Sequence, residues 1–264
     1  MNKYLQIFAT SFKQESKTIS NTLISAGSFV VILFIFYELW GYIYGEGGTG
    51  ETIQGYTLEM MIWYLVGTEL LMYTISHRKI TQQFSADIKS GRLAYQLNKP
   101  YSYFLYSVFY TLGQVVFKFM FLLPITICVG IAFVGLPNYD WWLLLPVVFS
   151  LIMGFVVMSL FYGAIGLIAF WVEEVSPYAW IANKFLMILG MFFPLEFFPG
   201  WLQPVILYSP IYATLSGPCK LLANFSWDAF LQVSASQIIW GVLLVALGGL
   251  LFKKGTKKVN INGG

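Results

Sequence analysis

Six apolar stretches, at about residues 23–44, 60–76, 106–134, 141–172, 178–195 and 234–252, leave this chain few folds to choose from. A bilayer core is crossed by about 20 mostly apolar residues in helix. The third and fourth stretches exceed a minimal span, so tilt, kinks or an extension beyond the hydrocarbon are expected, with Pro124 and Pro146 as candidate kinks. Composition agrees. The chain is 58% hydrophobic and 10% charged, with mean hydropathy +0.71, whereas soluble domains carry about 25% charged residues. The fold class is therefore all-α integral membrane, with six transmembrane helices.

Charge then orients the spans. Twelve of the fifteen Lys and Arg residues fall at the N-terminus (Lys3, Lys13, Lys17), in a mid-chain island (Arg78, Lys79, Lys89, Arg92, Lys99) and in the tail (Lys253, Lys254, Lys257, Lys258). Positive charge near span ends stays on the cytoplasmic side. Both termini, the island and the turn 173–177 are thus expected inside, and loops 45–59, 135–140 and 196–233 outside. Those outer loops hold Lys220 and no Arg. Aromatic residues mark the two interfaces: Trp40, Tyr42, Tyr44, Tyr139, Trp141, Trp142 and Trp201 outside, Tyr101, Tyr103, Trp171 and Trp180 inside. The net charge of +3 sits at membrane edges and points to anionic headgroups rather than to nucleic acid. Residues 1–20 lack the apolar core of a signal peptide. They read instead as an amphipathic helix in the inner interface, with Tyr4, Leu5, Phe8, Phe12 and Ile19 forming the apolar stripe. Cys128 and Cys219 are too few for a disulfide framework and are expected unpaired.

Three places stand out as candidate sites. In the cytoplasmic region 77–100, Ile80, Phe84 and Ile88 make one apolar stripe on a short helix, Gly91 ends it and Pro100 precedes the next span. An idle linker could carry the same pattern, but two adjacent spans can be joined by only a few residues. At the outer end of the fifth span, Pro194, Pro199 and Gly200 break helix, while Phe197, Phe198, Trp201 and Leu202 keep the chain apolar. A re-entrant element over 195–208 fits, and a surface loop with apolar decoration is the alternative. Within the spans lie Glu38, Glu69, Lys118 and Lys184. Intramembrane charges are costly and face a partner or a cavity. Glu69 and Lys118 sit near the middle of adjacent spans, where they could pair for structural or functional reasons, and Glu38 and Lys184 could simply reach an interface.

Catalytic chemistry is not expected. His77 is the one histidine, and neither a paired-histidine zinc motif nor a Gly-x-Ser-x-Gly elbow is present. No metal site is expected. The glycine-rich run 45–52 has Glu51 where a phosphate-binding loop needs Lys, and reads as a flexible outer loop. Asn224-Phe225-Ser226 matches a glycosylation sequon, a weak signal on its own.

Three stretches resemble the membrane subunits of ABC-2 type transporters, bacterial permeases whose ATPase is a separate polypeptide. They are Ile88-x-x-Gly91-Arg92-Leu93 with Leu97 and Pro100, Phe170-Trp171-Val172 with Pro177 leading to Phe193-Pro194-Leu195 and Phe198-Pro199-x-Trp201-Leu202, and Leu251-Phe252-Lys253-Lys254-Gly255 with a basic tail, 253–264. The resemblance implies a single transmembrane domain over 1–264 with an N-terminal interfacial helix (1–20). It implies a coupling helix that docks an ATPase through Ile80, Phe84, Asp87, Ile88, Lys89, Gly91 and Arg92. It implies an outer gate of short re-entrant helices carrying Pro194, Glu196, Phe197, Phe198, Pro199 and Trp201. The partners implied are cytoplasmic ABC ATPase subunits, a second permease subunit of the same or a different chain, and the bilayer of a bacterial cytoplasmic membrane. No cofactor is implied for this chain, since ATP and Mg belong to the ATPase. The function implied is export of an amphipathic, lipid-like, drug or peptide substrate. A self-sufficient secondary transporter or channel is the rival, and it would want broken mid-membrane helices and a repeat. A membrane-embedded enzyme is disfavoured by the missing chemistry.

Overall fold

The computed structural model of the chain describes residues 3–17, 19–45, 52–74, 77–93, 99, 101–137 and 140–262. The glycine-rich run at 46–51, residues 94–98 and 100 of the cytoplasmic region, Tyr139 of the aromatic belt and the final two glycines lie outside the described residues. Among the described residues the α-helices follow in order: α1 (Lys3–Ser16), α2 (Ile19–Tyr44), α3 (Leu58–Thr74), α4 (His77–Lys89), α5 (Tyr103–Val134), α6 (Leu144–Leu167), α7 (Ser176–Leu186), α8 (Gln203–Leu207), α9 (Gly217–Ala223) and α10 (Trp227–Asn262). Tight or wide helical turns extend several of them: Trp141–Leu143 leads into α6, Ile168–Phe170 prolongs it, and a π-turn at Met187–Met191 continues α7.

Among the described residues, four helical stretches are long and apolar enough to cross a membrane by themselves: Thr22–Tyr44, Leu105–Val134, Trp141–Phe170 and Trp227–Lys258. The second and fifth predicted spans are shorter. α3 has 17 residues, and α7 has 11 before its π-turn. Their surroundings explain this. α3 is the hub of the molecule, with Met61 to Leu71 buried throughout, so its partners rather than lipid face it. The outward surface is apolar instead: Val31 and Ile35 of α2, Met120 of α5, Leu145 and Phe149 of α6, and Val242 and Leu250 of α10 are all exposed. A surface of that kind is stable against acyl chains and costly against water.

Because lipid is as apolar as leucine, helices in a bilayer associate through close packing and polar contacts rather than through burial from water. Glycine permits the close approaches. A Cβ at Gly67 of α3 would stand 3.1 Å from Cys219 Sγ of α9, and one at Gly154 of α6 would stand 2.9 Å from the Thr214 carbonyl. Pro146 falls in the first turn of α6, where a missing N–H costs little, and Pro124 lies inside α5, which stays helical through it.

α1 packs against α5. It runs beside α5 in the same direction. The Tyr4 ring stacks on Phe109 at 5.4 Å, Phe12 meets Phe117 edge-on at 5.3 Å, and the Glu15 carboxylate reaches Lys118 at 3.5 Å. Ser11 fits against Gly113, where any side chain on α5 would collide with it. With 32 residues, α5 is about 48 Å long, well beyond a core of about 30 Å. α1 accompanies its first half. α10 also continues helical through the predicted basic tail to Asn262.

Candidate functional site

Helix α4 forms where predicted, and Gly91 follows its end with φ +70°, a left-handed conformation that glycine tolerates best. Its orientation is opposite to the expected one. Ile80 and Phe84 are buried in this chain, at 6% and 3% exposure, and Ile88 packs against the same core. The Phe84 ring stands edge-on to Tyr103 of α5 at 5.7 Å. A Cβ at Gly166 of α6 would lie 2.9 Å from Phe84 Cβ, so that glycine makes room for the ring. Tyr103 stacks on Phe252 of α10, and Phe252 meets Phe170 beyond α6. The apolar stripe is thus bolted to three span ends and is not free to insert into a partner. The stripe has two possible apolar neighbours, and the spans of its own chain are the nearer.

Asp87 secures the same joint. Its carboxylate accepts a 2.7 Å hydrogen bond from the Tyr103 hydroxyl and lies 3.4 Å from Arg92. Burial, then the adjoining Asp87 carboxylate, pushes the Tyr103 hydroxyl pKa up, so the phenol stays a donor. Tyr103→Phe should lower stability by about 1.5–3 kcal/mol, because a buried carboxylate loses its donor. Thermal unfolding of the purified chain checks this, and an unchanged midpoint would remove the joint from the account.

The face of α4 left free is polar. Gln82, Ala86 and Lys89 are exposed, as are Ser90, Gly91 and Arg92. With the turn after α6 it bounds a groove of about 260 Å³ lined by Thr81, Gln82, Ser85, Lys89, Glu174 and Ser176. Lys89 approaches Glu174 at 3.7 Å. The Ser176 hydroxyl and amide donate to Glu174 at 2.6 and 3.1 Å. Those two bonds, and then Lys89, hold its carboxyl below the usual range. The side chains at 75–79, Arg78 and Lys79 among them, lie outside the described residues.

Glu69 and Lys118 do not pair. Lys118 forms its ion pair with Glu15, and both are largely buried. Glu69 is 1% exposed, and its Oε1 has no hydrogen-bond partner among the described residues. The sequence could not show this, because Glu15 belongs to the polar leader and comes to Lys118 only when α1 docks.

At the other end, the predicted break in the fifth span is present. The π-turn Met187–Met191 and a tight turn at Leu195–Phe197 precede α8. Tyr64 of α3, fully buried, donates to the Gly190 and Phe193 carbonyls at 2.6 and 3.2 Å, satisfying groups that the broken helix frees. Glu196 accepts from the Tyr56 hydroxyl at 3.0 Å and pairs with Lys220. Phe197 packs edge-on to Trp40 at 5.7 Å. The Phe198 carbonyl accepts from Gln203, the Pro199 carbonyl accepts from the Leu202 amide, and Trp201 is exposed. Pro194 starts the tight turn.

The stretch read as an outer loop from 196 to 233 goes further than predicted. After α8, a second π-turn (Tyr212–Ser216) and α9 run buried from Tyr212 to Ala223, apart from Lys220, which is half-buried. Gln237 of α10 holds this return by donating to the Ser150 and Ala213 carbonyls at 2.8 and 3.1 Å. Cys219 is buried against Gly67 and unpaired. Gln237 is the last polar side chain before the long apolar run of α10, and that position was the available signal. Among the described residues, no group of His, Cys, Asp or Glu could hold a metal ion.

An all-helical chain with an apolar exterior and, among the described residues, four helical stretches long and apolar enough to cross a membrane is a multi-pass membrane protein. The family described as ABC-2 family transporter protein matches residues 16–263. The chain belongs to that family, whose members are membrane subunits of transporters. No curated protein matches it.

Proposed function

We propose that the chain is a six-span permease of an ATP-driven exporter, working with separate ABC ATPase subunits and a second permease in a bacterial cytoplasmic membrane, with both termini inside. Its cargo is an amphipathic or lipid-like molecule. The two short helices, α3 and α7, complete the six spans. The observation that carries this reading is α4: one face is fixed to the ends of α5, α6 and α10, and the other is polar and open. A helix so placed passes a push from a soluble partner directly to three spans. The docking surface is therefore Gln82, Ala86 and Lys89 with the Glu174 groove, and Phe84 anchors it from behind.

Co-purification with the ATPase tests this. Ala86→Arg, at the centre of the free face, should weaken association more than about tenfold, or about 1.4 kcal/mol, while leaving the permease folded. Lys89→Glu should weaken it less, and more so at low salt. Undiminished association of both variants would overturn the assignment.

A further inference from the structure

Where α3, α4 and α5 meet, the packing leaves a cavity of about 20 Å³. Its walls include Thr74 from the last turn of α3, Ile80 and Gln83 of α4, and Thr111, Gln114 and Lys118 of α5. Five of these six side chains are polar. Thr74 and Thr111 are buried, and so is most of the Lys118 side chain, which meets Glu15 of α1 there. A cavity needs about 10–15 Å³ and about two to four polar partners to hold a water. This one supplies both.

We infer that the cavity is a binding site for one ordered water, which ties α3 and α4 to Lys118 and, through its ion pair, to α1. The pattern of donors and acceptors selects the ligand. Lys118 can only donate. The Thr74 hydroxyl donates its proton to the Leu70 carbonyl at 2.6 Å, so toward the cavity Thr74 can only accept. The amides of Gln83 and Gln114 and the Thr111 hydroxyl can do either. The ligand must therefore both accept and donate, as water does. A metal cation is repelled by Lys118. Chloride only accepts, and it would stand near the Glu15 carboxylate, 3.5 Å from Lys118. A phosphate group exceeds the space. Bonds through a water are nearly as favourable as direct ones. Gln83 thus becomes a polar link from α4 to the charged pair, and it extends the hold of α4 to α1, a helix that the Phe84 joint does not include.

The test uses the full-length permease in nanodiscs, without ATPase. X-ray radiolysis makes hydroxyl radicals from a trapped water, and these oxidise the side chains beside it. Ile80 and Val115 wall the cavity and are buried, so they should be oxidised, while Leu65 and Leu167, equally buried and not in its walls, should not. Thr111→Leu, which puts carbon in the cavity, should remove that oxidation, and Thr111→Ser, which keeps the hydroxyl, should preserve it. Gln83→Leu cuts the link on the α4 side. Backbone amide exchange across α1 should then quicken about fivefold, the lower end of typical coupling between sites, whereas Gln82→Ala on the free face should leave it unchanged. Ile80 and Val115 left unoxidised in the unaltered chain overturn the site, and so does oxidation that persists in Thr111→Leu. An unfolding midpoint that rises with chloride and not with gluconate at equal ionic strength overturns it too, in favour of an anion. Unchanged exchange of α1 in Gln83→Leu overturns the link to α1. Each readout is made without the ATPase, so the site fails or stands separately from the exporter reading.

Discussion

Phe84→Ala is expected to destabilise the chain by about 3–5 kcal/mol, the cost of deleting a buried aromatic ring from a packed site. The ring fills the space that Gly166 leaves and touches Tyr103. With the ring gone, α4 loses its hold on α5 and α6 together. Unfolding of the purified permease in detergent reads the effect, with Gln82→Ala on the free face as a control within about 0.5 kcal/mol. Export should fall with it, because α4 is then a loose handle. A variant that kept full stability and lost only its ATPase would show that the stripe points outward after all.

The second large effect belongs to Glu15 and Lys118. Both are more than four-fifths buried, so deleting one charge strands the other at a cost of about 3–5 kcal/mol. Lys118→Met and Glu15→Gln should each be harmful, and the double variant should be milder than either cost alone predicts. A double-mutant cycle on thermal stability measures this, and simple additivity would reject the pair. Glu69→Gln should add to Lys118→Met within about 0.5 kcal/mol, since Lys118 pairs with Glu15 and not with Glu69.

The parts legible in the sequence were those set by composition over long windows. The four long helical stretches follow from apolar length, and α4 follows from Ile80, Phe84 and Ile88 with Gly91 behind them. The break after α7 follows from Pro194 and Pro199. What stayed hidden depends on partners far along the chain. A stripe on α4 says that one face must be covered, and Gly166, which makes the room, is about eighty residues away. The return through Tyr212–Ala223 hides for another reason. Its helices are a few residues long and rich in Gly and Pro, the marks of a loop, and only Gln237 and the glycines facing it show that it is wedged inside. The Glu15–Lys118 pair hides for the same distance-related reason as Phe84.

The bond between α1 and α5 fixes an order of events during synthesis. Glu15 leaves the ribosome roughly a hundred residues before Lys118, a wait on the order of ten seconds at typical elongation rates. Until then α1 has no groove to enter, and its Phe8 and Phe12 hold it at the membrane surface. Lys118 enters the bilayer with α5 as a penalty of about 2.5–3.5 kcal/mol if it lies at mid-helix, offset by the Leu, Phe, Ile and Val around it. Arrival of Glu15 then compensates the charge. The joining of α1 to α5 is therefore a late step, made only after both helices have left the ribosome.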